Sequence, residues 1–184
     1  MQGSIMNFSS ISLKSKINKQ AGFTITELML YMGLLIVLIT ILSQVFASIL
    51  SVQLESKSTS SVELDSKFII QKLIYDMNNM QTNPPVSDNI TTPSAPGQTT
   101  DTLNFTVNSI NYIYSLNNGN LQLINDKGTN NLNSIDTAVS ALQFTRIGAG
   151  TNLDTIQVNF TLTSKIKKNN GPETRNYQTT ISSQ

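Results

Sequence analysis

The stretch that decides the fold is Lys19–Gly33, KQAGFTITELMLYMG, followed by an apolar run that continues to Leu50. From Leu28 to Leu50 an α-helix would be about 35 Å long, which is enough to cross the core of a bilayer. A secretory signal peptide has an apolar segment of only about 7 to 15 residues before its cleavage site. The sequence therefore predicts a membrane-spanning helix.

Three basic residues precede the apolar run, and no charged residue lies between Leu28 and Leu54. The basic residues are Lys14, Lys16 and Lys19. Positive charge next to a span stays on the cytoplasmic side. We therefore expect a single-pass protein of the cytoplasmic membrane with residues 1–22 inside and the C-terminal part outside, and we interpret residues 1–22 as a leader peptide.

Gly22, Phe23 and Glu27 distinguish this segment from a plain signal anchor. Gly22 gives a flexible backbone that fits extended into a protease groove. A carboxylate at the start of a membrane helix, such as Glu27, costs free energy unless it is paired. If the chain is cut after Gly22, the new ammonium group of Phe23 could pair with Glu27 of a neighbouring copy and set the axial register of an assembly.

The run Gly22–Leu28, GFTITEL, resembles the processing signature of type IV pilins and type II secretion pseudopilins. The resemblance implies cleavage between Gly22 and Phe23 by a prepilin peptidase, N-methylation of Phe23, and assembly of the helices into a filament core. It also implies membrane lipid, other pilin or pseudopilin subunits and an ATP-driven assembly platform in the inner membrane as partners. Many major pilins have proline where Gln44 stands, so its absence favours a pseudopilin or minor pilin.

A fainter resemblance covers parts of the second half. Three segments are similar to J-type pseudopilins and W-type minor pilins: residues 73–77, 135–144 and 173–177. This similarity implies a role at the tip of a filament or in its initiation rather than in its bulk.

The side chains most used for catalysis and metal binding are missing. The 184 residues include neither Cys nor His, which removes thiolate nucleophiles, imidazole bases and soft metal ligands. The aspartates after the apolar run are scattered without the spacing of a calcium loop, and we interpret them as solvated loop acids. The sequence therefore predicts no enzyme, no cofactor and no metal site. The resemblance to pseudopilins, some of which bind calcium, leaves one alternative open, a calcium site that only the fold assembles.

The charge balance argues against nucleic acid as a partner. The formal net charge is +1, and without residues 1–22 nine basic and eleven acidic residues remain. A small basic group consists of Lys165, Lys167, Lys168 and Arg175. It could contact DNA phosphates, or it could be a solvated edge that prevents strand pairing.

Helical periodicity returns after a serine-rich stretch at residues 56–61. Apolar residues recur at helical spacing and should face the external domain: Val62, Ile69, Leu73, Met77 and Met80. Pro84 and Pro85 then end the helix. The proline-rich residues 82–101 are predicted to be an exposed loop.

Beyond residue 101 the apolar period changes to two, which is typical of strands. Alternating segments are predicted at 103–107, 110–116, 121–123, 156–162 and 177–181. Asn118-Gly119 suits a tight hairpin turn between two of them. Leu132, Ile135, Val139 and Leu142 have helix-like spacing and predict a short turn of helix.

The combined prediction is an α+β protein with a leader at 1–22, a transmembrane and stalk helix at 23–81, and an antiparallel β head at 82–184. The favoured function is a prepilin-type subunit of a type IV pilus or a type II secretion pseudopilus, which would end in an extracellular or periplasmic filament. The alternative is a signal-anchored surface protein, an adhesin or sensor, that never polymerises. Cleavage after Gly22 distinguishes the two functions.

Overall fold

The computed structural model describes residues 22–79, 90–147, 155–168 and 171–182. They form a long helix followed by an antiparallel β-domain, as the sequence predicts. The helix α1 covers Ile25–Asn78, and the strands are β1 Ile90–Thr92, β2 Thr99–Thr100, β3 Leu103–Val107, β4 Ile110–Asn117, β5 Asn120–Asn125, β6 Gly128–Asn131, β7 Thr137–Ile147, β8 Thr155–Ser164 and β9 Thr174–Ser182. The predicted leader up to residue 21 and the predicted helix end near Gln81 lie outside the described residues.

Of the described residues, those up to Val45 belong to one compact unit and those from Phe46 belong to another. In the first unit α1 is apolar on all sides, and every large apolar side chain from Ile25 to Val45 is at least 50% exposed. The hydroxyl of Thr40 donates to the carbonyl of Ile36 at 2.8 Å, so this polar group is satisfied within the helix. By length and composition, α1 could cross a membrane.

In the second unit α1 is amphipathic and buries one face. Val62, Ile69, Leu73 and Met77 are fully buried, which confirms the predicted packing face. Met80, the last residue predicted on that face, lies outside the described residues. The buried side chains join a core to which both sheets contribute.

The antiparallel β head that the sequence predicts contains two sheets. The strand orders are β1-β3-β4-β5-β6 and β2-β7-β8-β9, and every pairing is antiparallel. The exposed loop predicted at residues 82–101 is confirmed for residues 94–98, which are exposed and lie outside strands, but it is wrong for β1 and β2. Ile90 in β1 is buried and pairs with Phe105, a contact that the proline-rich composition hides.

The alternating patterns correctly predicted several strands. In β3 and β8 inward residues are buried at every second position. The β4–β5 turn has φ of 48° at Asn118 and 77° at Gly119, which are the positive values of the expected hairpin turn. Leu116, which continues the alternation of β4, is nevertheless 37% exposed.

The turn of helix predicted from Leu132 to Leu142 is wrong, because residues 137–147 form β7. The register of β7 against β8 shifts between Ser140 and Gln143, and Ala141 has φ of 50°. This β-bulge inserts one residue, so Val139 and Leu142 both point inward although they are three positions apart. A bulged strand therefore imitates helical spacing in the sequence.

The interpretation of the aspartates as loop acids is wrong for Asp76, which is buried near the end of α1. Its carboxylate accepts a short hydrogen bond from the hydroxyl of Tyr114 in β4 and bonds to Lys72 at 2.6 Å. Negative charge is unfavourable at a helix C-terminus, so these partners offset both the burial and the helix dipole. They fasten the end of α1 to the five-stranded sheet.

Asp65 is a second helix carboxylate with a structural role rather than a loop acid. Its Oδ2 atom accepts hydrogen bonds from the backbone N and the hydroxyl of Ser134, both at 2.8 Å, and from the hydroxyl of Thr137. Charge-assisted bonds of this kind are stronger than neutral ones. They hold the segment that enters β7 against α1.

Removing the Tyr114 hydroxyl should destabilise the β-domain. In Tyr114→Phe the buried Asp76 carboxylate loses a donor, so we expect the free energy of unfolding at pH 7 to fall by about 1–3 kcal/mol. Urea unfolding of the full chain in mild detergent, followed by far-ultraviolet circular dichroism, measures it. Tyr75→Phe, at an exposed tyrosine next to Asp76 on α1, is the matched control and should change stability by less than about 0.5 kcal/mol.

The same variant should alter the response to alkaline pH. Burial, and then the hydrogen bond to Asp76, raises the pKa of Tyr114 far above its usual value. An unfolded tyrosine ionises near pH 10, so the stabilisation is complete below about pH 10 and is lost as the pH rises further. Tyr114→Phe should lose less stability than the unmodified chain between about pH 9 and 11. Equal losses in the two proteins would contradict this assignment.

Candidate functional site

The predicted cleavage site lies immediately before α1. Gly22, Phe23 and Thr24 are exposed and non-helical, and the helix begins at Ile25. A Cβ atom added at Gly22 would have no neighbour within 4 Å. The described packing therefore does not require glycine at this position, and any such requirement must come from a partner.

Thr24 caps the helix, a role that the sequence analysis missed. Its carbonyl accepts from the backbone N of Leu28 at 3.1 Å, and its hydroxyl accepts from the backbone N of Glu27 at 3.3 Å. Threonine followed three positions later by glutamate is the spacing of a capping box, so the signal was present in the sequence. The cap fixes where the helix starts relative to Phe23.

Glu27 and Phe23 both contact Tyr31, one or two turns further along α1. The Tyr31 hydroxyl donates to Oε1 of Glu27 at 3.2 Å. The Phe23 and Tyr31 rings are arranged edge to face, with their centroids 6.1 Å apart. In this chain Phe23 follows Gly22, so its backbone nitrogen is an amide and carries no charge. Pairing of Glu27 with a Phe23 ammonium thus stays a prediction about the cut protein.

The apolar surface around this site is large, and no described residue packs over it. Phe23 is 74% exposed and Ile25 is 80% exposed. Monomeric soluble proteins rarely expose continuous apolar patches of more than a few hundred Å². Such a surface is typical of a segment that lipid or other protein chains cover.

The basic group near the last turn is partly neutralised. Lys168 pairs with Glu173 at 2.7 Å, and Arg175 lies 2.9 Å from both Glu173 and Glu63. Hydrogen bonds, first from Lys168 and then from Arg175, lower the pKa of Glu173, and Glu173 in turn raises the pKa of Arg175. This pairing leaves less positive charge for phosphate contacts than the sequence implies.

A shallow groove of about 520 Å³ lies beside Asp65 in the second unit. Lys57 and Asp136 line it and approach each other to 3.5 Å, with serines along the helix side. In the part of the chain that the structure describes, no three acidic side chains converge as metal ligands would. The charged groups of the groove are thus already paired with each other or with the loop before β7.

A scan of protein-family models finds no match to this chain, and searches of curated proteins and of solved structures find no similar protein.

Proposed function

We propose that this chain is a prepilin-type subunit that is cut after Gly22 and assembles through α1 into a type IV pilus or a type II secretion pseudopilus. One observation carries the proposal. An exposed Gly22–Phe23 bond stands directly before a capped helix whose large apolar side chains up to Val45 are all at least half exposed. A protease can reach the bond, and lipid or neighbouring helices can cover the helix.

The membrane stores the subunit before assembly. The helix inserts with its basic leader in the cytoplasm, and the β-domain lies outside. After cleavage, an ATP-driven platform transfers the helix from lipid to a bundle of similar helices. The β-domain is exposed on the filament, and no catalytic step is assigned to the chain.

Glu27 determines how neighbouring subunits align. It is the only charged residue between Gly22 and Glu55, so its carboxylate enters an apolar bundle with no other nearby charge on its own helix. An unpaired charge in such surroundings costs several kcal/mol, whereas a neighbour's Phe23 ammonium would compensate it. The bond to Tyr31 satisfies only one carboxylate oxygen and leaves the charge in place.

Cleavage should depend on Gly22. We expect a full chain produced together with a prepilin peptidase to begin at Phe23 and to carry an N-terminal methyl group. Gly22→Val should slow cleavage at least about tenfold, because a branched side chain restricts the extended backbone and fills space in the protease groove. Intact mass and N-terminal sequencing measure both outcomes.

Gly33→Val is the matched control for this experiment. Gly33 also has no neighbour within 4 Å of an added Cβ, and it lies inside α1 rather than at the predicted site. The Gly33→Val chain should be cleaved after Gly22 as fast as the unmodified chain. An unmodified chain that still begins at Met1 would contradict the proposal and favour a signal-anchored surface protein.

Assembly should depend on the charge of Glu27 rather than on its local hydrogen bond. Glu27→Gln keeps an acceptor for Tyr31 but removes the charge, so we expect normal cleavage and at least a tenfold loss of incorporation into filaments. Sedimentation of sheared filaments, with quantification of the incorporated subunit, measures the effect.

Tyr31→Phe provides the opposite change, since it removes the hydrogen bond and keeps the charge. It should incorporate nearly as well as the unmodified chain, and so should Glu55→Gln, which neutralises the next acid along α1. Normal incorporation of Glu27→Gln would refute the pairing mechanism while leaving the cleavage result intact.

A further inference from the structure

The strand β9 is a long edge strand. It forms one end of the four-stranded sheet, and β8 is its strand neighbour in the described part of the chain. It has nine residues and pairs with β8 without a bulge. The other end strands are β2 with two residues, β1 with three and β6 with four. A short edge strand is one way in which proteins prevent pairing with another chain, and β9 is too long to be protected in this way.

β9 also has few of the residues that usually protect an edge strand from pairing. Its sequence, TRNYQTTIS, contains no proline and a single charge, Arg175. Its guanidinium bonds to Glu63 on α1 and to Glu173. Lys165, Lys167 and Lys168, the other members of the basic group, lie before β9 rather than on it.

The backbone register shows which groups point to the open edge. Ser164 N donates to Glu173 O at 2.8 Å, and the β8–β9 register continues unchanged from there. In an antiparallel pair alternate residues direct both backbone groups to the same neighbour. The set that points away from β8 also has exposed side chains and comprises Thr174, Asn176, Gln178, Thr180 and Ser182.

We propose that β9 pairs antiparallel with β9 of a second copy of this chain, around a two-fold axis at Gln178. With this centre, every hydrogen-bonded residue pair joins two residues whose backbone groups face outward. Thr174 lies opposite the partner's Ser182, and Asn176 lies opposite the partner's Thr180. The nine-residue overlap forms about ten backbone hydrogen bonds.

The exposed face of the sheet shows why a second copy fits this edge. Between β8 and β9, cross-strand hydrogen bonds already link Thr155 to Ser182 at 3.0 Å and Thr161 to Asn176 at 2.8 Å. Self-pairing of β9 places the same classes of short polar side chain opposite one another and brings no charges together on this face. Cross-strand polar pairs of this kind contribute to sheet stability.

The two-fold arrangement is closed. It uses the β9 edge of both copies and leaves only the two-residue β2 at each outer end of the joined sheet. An isologous contact of this type produces a dimer rather than an open fibre. The contact requires neither cleavage after Gly22 nor association of the apolar helices.

Cysteine cross-linking tests the contact directly, because the chain has no native cysteine. Opposed residues in a hydrogen-bonded pair have Cα atoms about 5.5 Å apart, which suits a disulfide. In the full chain in detergent micelles, Gln178→Cys should form a disulfide-linked dimer under mild oxidation. Non-reducing electrophoresis over time gives the rate.

Two control variants are matched to this test. Gln143 lies in the same row of the sheet as Gln178, since both pair with Asn159, and in the dimer its two copies would be about 24 Å apart. The two copies of Thr174 would be about 26 Å apart along the antiparallel strands but adjacent in a parallel pair. Gln143→Cys and Thr174→Cys should each cross-link at least tenfold more slowly than Gln178→Cys.

Equal rates at the three positions, or a faster rate at Thr174→Cys, would overturn the proposal. A second measurement uses charge: Gln178→Lys places two ammonium groups opposite each other at the axis, whereas Gln143→Lys adds the same charge away from it. We expect at least a tenfold increase in the dimer dissociation constant for Gln178→Lys alone, measured by analytical ultracentrifugation. A chain that stays monomeric in both measurements would also overturn the proposal.

Discussion

The β-domain depends on the burial of one face of α1. Val62, Ile69, Leu73 and Met77 enter a core to which both sheets contribute. Complete burial of an aliphatic side chain is worth about 1.5–3 kcal/mol, so these residues contribute much of the stability that a small domain without disulfides can obtain. Without this helix face, the apolar sides of both sheets would be exposed to water.

Carboxylates on the same segment of α1 fix its position and orientation, which apolar burial alone does not do. Glu63, Asp65 and Asp76 bond to β9, to the loop before β7 and to β4, respectively. Apolar contacts tolerate sliding and rotation of a helix, whereas three charge-assisted bonds to different strands and loops restrict both motions. The position of the helix matters most for buried Asp76, because a displaced helix would leave its charge without partners.

The sequence predicted the parts of the fold that depend on local pattern. Helical spacing identified the buried face of α1, alternation identified β3 and β8, and Asn118-Gly119 identified a turn. The sequence-based prediction failed where contacts between strands determine the structure. The bulge at Ala141 gives β7 an apolar spacing like that of a helix, and β1 and β2 form only by pairing with other strands. The role of Asp76 could not be predicted, because Tyr114 lies 38 positions away and only the fold brings them together.

The candidate site was selected from the sequence alone, whereas its local contacts became visible only in the structure. Gly22, Phe23 and Glu27 were recognisable from the order of residue types, whereas the bonds of Glu27 to Thr24 and Tyr31 needed the geometry. These contacts satisfy hydrogen bonds but neutralise no charge, and the helix around them leaves its apolar side chains uncovered. Part of the apolar side chains of the second unit enters a common core, whereas those of the first unit stay exposed. Most of the exposed large apolar side chains lie between Phe23 and Leu54, so the apolar surface left to be covered is concentrated in the N-terminal half of α1.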